Sequence, residues 1–162
     1  MDLEAKKHLL RQLACGIYVI GVRDATAAHG GRASTVSWAQ QLSVEPPLVG
    51  VALEVESRTL SLVRTARAFT LCMLASDGRA VASKLGRASA DVPNKDDDVP
   101  MVSSPVLGAP RVEAATGWLE CRVECELATG DHVLVVGRVV EAAIVRDGAP
   151  LTLQGSGWLY GG

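Results

Sequence analysis

Aromatic residues are scarce in this chain. Its 162 residues include three Trp, two Tyr and one Phe, too few for the stacked platforms that grip single-stranded nucleic acid. An excess of charge of one sign is missing as well. Lys and Arg number 16 against 18 Asp and Glu, a formal net charge of -2, which leaves no electrostatic footprint for a nucleic acid or an anionic membrane. Long apolar runs are also absent. The best stretches, Cys15–Val22 and Val133–Val140, are short or interrupted by Arg138, far below the ~20 residues of a spanning helix. Asp2, Glu4, Lys6, Lys7 and Arg11 crowd the first turns, so no secretory apolar region can be drawn there. The expectation is a soluble cytoplasmic protein. Its four cysteines (Cys15, Cys72, Cys121 and Cys125) are then expected to be reduced, buried small hydrophobes.

The chain does have a globular composition, 48% hydrophobic and 21% charged. This implies a single domain over 1–162 with one core, with no disulfide or metal staple required. Leu3–Leu13 has the spacing of a short amphipathic helix. Cys15–Arg23 is a β-branched run and reads as a buried strand, succeeded by a Gly-rich connection over Ala25–Arg32. Leu48–Leu53 and Phe69–Ala75 read as further strands. Between them Ser57 stands as N-cap of a helix carrying Leu60, Leu62, Val63 and Ala66. Ser76 or Asp77 is expected to cap a second short helix through Leu85, and Ala88–Pro110, rich in proline and holding the charge run Lys95-Asp96-Asp97-Asp98, to form a long loop.

Trp118–Leu127 alternates most cleanly. Leu119, Cys121, Val123, Cys125 and Leu127 fall on one face, and Glu120, Arg122, Glu124 and Glu126 on the other, the mark of an antiparallel strand with one wet face. Thr129-Gly130-Asp131 is then a turn and His132–Val145 a strand pairing back. Cys121 and Cys125 would lie about 13 Å apart along such a strand, too far for a disulfide. Strands without regular βαβ alternation favour a mainly β, antiparallel barrel or sandwich.

Three places carry candidate chemistry. Ser57-Arg58-Thr59 opens a helix with two hydroxyls and a guanidinium, where free N–H groups and the dipole suit an anion. It also reads as an ordinary N-cap with an exposed Arg. Thr35-Val36-Ser37-Trp38 through Ser43 offers donors to a planar polar ligand, or serves as an edge strand with a half-buried Trp. His132, as a histidine, suits acid chemistry or a place beside a cofactor, or is a solvated residue beside a turn. His8 and His29 have no ligand-like spacing with it, so no zinc site is expected. Gly155-Ser156-Gly157 lacks the third glycine of a dinucleotide fingerprint.

Taken in order, Cys15–Val22, Thr35-Val36-Ser37-Trp38, Gln41–Val49, Ser57-Arg58-Thr59, the Phe69–Leu74 strand, Leu119-Glu120-Cys121, Gly130-Asp131-His132, Val136–Val139 and the segment from Gly157-Trp158 to Gly162 resemble the flavin reductase-like family, the FMN-binding split barrels. The resemblance implies a homodimer of antiparallel split β-barrels that bind FMN, often reduced by NADH or NADPH. It implies Thr35, Val36, Ser37 and Trp38 along the flavin ring and ribityl chain, with Gln41 nearby. Ala52, Leu53 and Glu54 would make main-chain contacts. Ser57, Arg58 and Thr59 would hold the phosphate, His132 would stand near the nicotinamide or the open flavin face, and Trp158 would close the pocket. The family usually has Asn at the place of Cys72, Phe at Leu85, and an Asp-Lys-Phe sequence where this chain reads Asp91–Asp96. The implied activity is NAD(P)H:flavin reduction serving a partner monooxygenase or redox protein. The alternatives are a flavoredoxin-type electron carrier reduced by a protein, or a split barrel holding heme or another flavin.

Overall fold

The computed structural model describes residues 1–27 and 29–161; Gly162, the last residue of the C-terminal motif, lies outside them. Among the described residues, nine strands and four α-helices succeed one another in chain order. Helix α1 is Leu3–Leu10, followed by β1 (Tyr18–Arg23), β2 (Gly31–Val36), β3 (Ala39–Ser43) and β4 (Leu48–Glu54). Helix α2 (Arg58–Ala66), β5 (Ala68–Met73) and α3 (Arg79–Leu85) come next. Strands β6 (Met101–Ser103), β7 (Pro110–Val112), β8 (Gly117–Ala128) and β9 (His132–Ile144) complete the sheets, and α4 is Leu153–Ser156.

Seven strands form one sheet in the order β2-β1-β5-β8-β9-β4-β3, every neighbouring pair antiparallel. Its two edges are consecutive in sequence, with only Ser37 and Trp38 between them. In a flat seven-stranded sheet these edges would lie about 29 Å apart, at ~4.8 Å per spacing. A two-residue link reaches about 11 Å at most. The sheet must therefore curl until the ends of β2 and β3 meet, although no ladder joins them. The result is a barrel split along one seam, as the expected class required.

The concave side holds Ile20, Val22, Val51, Phe69, Leu71, Cys121 and Val135, with Leu60 and Val63 of α2 in the same core. A second core lies on the other face of β1 and β5, where Val19, Cys72 and Leu74 meet Ala82 and Leu85 of α3, Val112 of β7 and Trp118. Burial on both faces explains why β1 and β5 read as unbroken apolar runs. Close approach dictates two glycines. Strand β7 crosses β1 where a Cβ on Gly21 would sit 1.8 Å from the Pro110 carbonyl. A Cβ on Gly137 would lie 2.6 Å from Phe69 Cζ, inside the barrel.

Several expectations are corrected. Glu120, read as solvent-facing, is fully buried, because the 104–109 segment covers the outer face of β8. Its carboxylate accepts from the N–H groups of Val106 at 3.0 Å and Leu107 at 2.8 Å. Cys125, read as inward, is exposed, since the ladder skips Glu124 between Val123 and Cys125 and a bulge reverses the facing of the residues beyond it. Within the expected Ala88–Pro110 loop, Met101–Ser103 forms a hairpin with Pro110–Val112; strands of three residues show no readable periodicity. Ser76–Gly78 is a 3-10 turn, and α3 begins without a side-chain cap. Helix α1 ends at Leu10 and buries none of its residues.

Gly137→Ala should lower stability by about 1–3 kcal/mol through overpacking against Phe69, read as a lower urea midpoint with an unchanged slope.

Candidate functional site

The curled sheet and α2, α3 and the C-terminal segment enclose a cleft of about 820 Å3, within the range of small-molecule sites. Thr35, Val36, Ser37, Trp38, Ala52, Leu53, Glu54, Ser57, Arg58, Thr59, His132 and Trp158 all line it. Gln41 does not. Strand β3 carries it along the outer edge of the sheet, where it is exposed and its Nε2 donates to Ser43 O at 3.2 Å.

One end of the cleft is the start of α2. Ser57 is extended (φ -72°, ψ 139°) and its Oγ accepts from Leu60 N at 3.2 Å, the geometry of an N-cap. The N–H groups of Arg58 and Thr59 have no acceptor among the described residues. These are the donors that helix starts offer to anions. Thr59 Oγ1 donates to Ser34 Oγ at 3.0 Å. Arg58 Nη2 contacts Asp24 Oδ2 at 3.0 Å. Asp24 is itself buried, and the Thr26 hydroxyl, donating at 2.6 Å, holds its carboxyl below the usual carboxylate range despite burial, with Arg58 and Arg32 reinforcing the effect.

The wall beside this end is a charge clasp. Arg32 Nη1 pairs with Asp96 at 2.8 Å and Asp97 at 3.2 Å. The second Asp96 oxygen accepts from Ala33 N at 2.9 Å, and Lys84 pairs with Asp98. Lys95 is buried and lines the cleft. Its Nζ donates to Leu85 O at 2.7 Å and Arg87 O at 2.6 Å, satisfying carbonyls at the end of α3 that the helix cannot. Burial lowers its pKa, with Asp96 partly opposing. The run Lys95–Asp98, read as part of a loop, thus pins that loop to β2 and α3.

At the other end His132 is buried, opposite Glu54 in the β4–β9 ladder. Its ring lies 4.6 Å from Trp38 by centroid, and Tyr160 stands edge-on to Trp38 at 5.2 Å. Its Nδ1 is 2.7 Å from Asp131 Oδ1. That contact holds the Asp131 carboxyl below its ordinary value. Trp158 faces the Arg79 guanidinium at 5.5 Å. Two expected contacts are already committed inside the chain: Thr35 Oγ1 donates to Ala82 O at 2.7 Å, and Ala52 N to Trp38 O at 2.9 Å.

Asp24, Ser34, Lys95 and Tyr160 were not singled out from sequence. Asp24-x-Thr26 carried an Asx-turn signal, and the Lys95 charge run was visible without its target. Ser34 had no distinguishing spacing.

The fit to a phosphorylated flavin rests on this geometry. Two unpartnered N–H groups and Arg58 stand at one end, apolar walls from Val36, Leu53 and Leu85 in between, and indole and imidazole rings at the other.

Because the Asp24 pKa is lowered in the folded chain, its contribution is fully present above the ordinary carboxylate value near 3.8 and is lost as pH falls through the depressed native value. Asp24→Asn should therefore be less stable than the parent by about 1–3 kcal/mol near neutral pH, and the gap should close in acid. Urea unfolding across the acid range measures both.

Comparison with known proteins agrees with this geometry. The family model described as "Flavin reductase like domain" matches residues 10–158. The reductase component of 4-hydroxyphenylacetate 3-monooxygenase from Thermus thermophilus is 31% identical over 91% of this chain and 89% of its own length. An NADPH-flavin oxidoreductase from Streptomyces viridifaciens is 34% identical over 92% of this chain and 76% of its own. Among solved structures, an FMN-binding protein from Thermus thermophilus superposes with a TM-score of 0.74 at 26% identity, covering 82% of this chain and 72% of that one. Nitrilotriacetate monooxygenase component B from Mycobacterium thermoresistibile shares the fold, with a TM-score of 0.81 at 23% identity over 93% of this chain and 82% of that one. With the family model spanning both ends of the cleft, the chain belongs to the flavin reductase like domain family.

Proposed function

We propose that this protein is an NAD(P)H-dependent flavin reductase that binds FMN in the cleft and passes electrons to a partner monooxygenase. The observation that carries the reading is the start of α2, where Arg58 and two free N–H groups open into a cleft walled by Trp38 and Trp158. Family membership and relatives named as flavin oxidoreductases and monooxygenase reductase components support it.

Bound FMN supplies the hydride-accepting chemistry, which no amino-acid side chain provides. The chain's residues do the rest. Ser57 fixes the first turn of α2 so that the N–H groups of Arg58 and Thr59 point toward a phosphate, and Arg58 adds a planar donor fork. Val36, Ala52 and Leu53 give an apolar wall, with Ser37 and Glu54 as polar neighbours of a ring. Trp38 and Trp158 exclude water. His132 holds or releases a proton at Nε2, the nitrogen that Asp131 leaves free. We further propose a cytoplasmic homodimer. No described helix is long and apolar enough to cross a membrane.

Arg58→Ala with Thr59→Ala should weaken FMN binding by about 1 kcal/mol, below the ~1.5–3 kcal/mol of a free charge-assisted hydrogen bond, because Arg58 already pairs with Asp24 and the backbone N–H groups remain. Riboflavin, which lacks the phosphate, should bind the variant and parent alike. Fluorescence titration with both flavins measures this, and an equal loss for the two would remove these residues from a phosphate site. The parent protein should consume NADH or NADPH steadily when FMN is supplied, whereas a flavoredoxin-type carrier would consume neither.

A further inference from the structure

Tyr160 occupies a place in the cleft that the reductase reading leaves without a task. Its hydroxyl lies 3.4 Å from His132 Nε2 and 3.3 Å from Glu54 Oε1. Both contacts are long for hydrogen bonds, whose norms are about 2.8 Å for O–H···O and about 2.9–3.0 Å for N···O. The segment bearing Tyr160 is tied down at its far side, where Arg11 Nε donates to Gly161 O at 3.0 Å. Glu54 and His132 are direct cross-strand partners, so one hydroxyl reaches both.

Proton counting gives this arrangement its meaning. A carboxylate only accepts, and a phenol carries one proton and accepts through its oxygen. Asp131 occupies Nδ1 and favours the ring with a hydrogen there. When Nε2 is also protonated, it donates to the Tyr160 oxygen while the phenol proton goes to Glu54. When Nε2 is bare, the same hydroxyl rotates and donates to it. Neither state requires a heavy atom to move. Burial and the Glu54 charge push the Tyr160 phenol above its ordinary value, so it keeps its proton near neutrality.

We propose that Tyr160 is a positioning residue that keeps the His132 ring in one orientation through both of its protonation states, with Glu54 as alternative acceptor. The inference rests on the reductase reading, in which His132 faces the reacting rings. It assigns this chain's C-terminal segment a part in hydride transfer and not only in closing the cleft.

The test is Tyr160→Phe, which keeps the aromatic ring against Trp38 and deletes the hydroxyl. Stopped-flow flavin reduction at saturating NAD(P)H should slow about tenfold, with KM and FMN affinity within about twofold of the parent. In a His132→Ala background the same change should cost nothing further. A full-sized loss in that background, or an unchanged rate in the single variant, would overturn the proposal. A second measurement is independent of turnover. The chain has three His, so ring nitrogen resonances can be assigned by substitution in the protein without flavin. Tyr160→Phe should shift the His132 Nε2 resonance and leave Nδ1 near its parent position. An unmoved Nε2 would equally overturn the positioning role. Parent protein that fails to oxidise NAD(P)H would count against the reductase reading alone, because the ring resonances judge the contact separately.

Discussion

The two-residue link between β2 and β3 is the constraint on which the rest of the molecule depends. It joins strands at opposite edges of a seven-stranded sheet, and a chain that short can do so only if the sheet curls. Curling brings the end of β2, the end of β4 and the start of β9 to one side. These ends supply Val36, Glu54 and His132, which are distant in sequence and share one cleft. Trp38, within the link itself, stands at the seam with its carbonyl held by Ala52 N. The position of the cleft is thus a consequence of topology before any side chain is considered.

A second requirement is to hold a loop against that cleft beyond the apolar anchor that Val99 gives it. Buried charges do this. Asp24, Asp96 and Lys95 are all shielded from solvent, a costly arrangement unless each is paired or hydrogen-bonded. Each is: Asp24 by Thr26 and two guanidinium groups, Asp96 by Arg32 and Ala33 N, and Lys95 by two carbonyls. Removing one partner leaves the other charge stranded, so the clasp is all-or-nothing in a way that an apolar contact is not. It fixes the loop's position relative to the start of α2, and with it the width of the cleft.

How much of this could be read beforehand depended on whether the deciding interaction was local. The Ser57 cap was legible because one hydroxyl and the helical spacing after it define it. The β1 and β5 runs were legible because burial on both faces leaves no polar alternation. Strand β8 was legible as a strand but not in its facings. Glu120 is buried by a segment over ten residues upstream, and the bulge at Glu124 leaves no mark on residue types. The partners of Lys95 and Asp96 likewise lie on β2 and α3, so sequence showed a charge run and not its targets. Gln41 was placed near the flavin by resemblance, and strand direction carries it to the outer edge. Helix α1 has an amphipathic pattern that nothing among the described residues buries.

The anion end of the cleft shows why these levels have to be weighed together. Taken alone, Arg58 is the obvious phosphate ligand. In the folded chain it already faces a buried carboxylate at 3.0 Å, so part of its charge is neutralised before any anion arrives. Binding there exchanges or shares a partner, and the net gain from Arg58 is smaller than that of a free guanidinium. The N–H groups of Arg58 and Thr59 have no such prior commitment. Their orientation was set when α2 formed, they lie at the positive end of its dipole, and no side-chain entropy remains to be lost. Most of the electrostatic advantage at this site therefore comes from the backbone of α2, with Asp24 keeping the Arg58 side chain at hand and limiting how strongly it can bind.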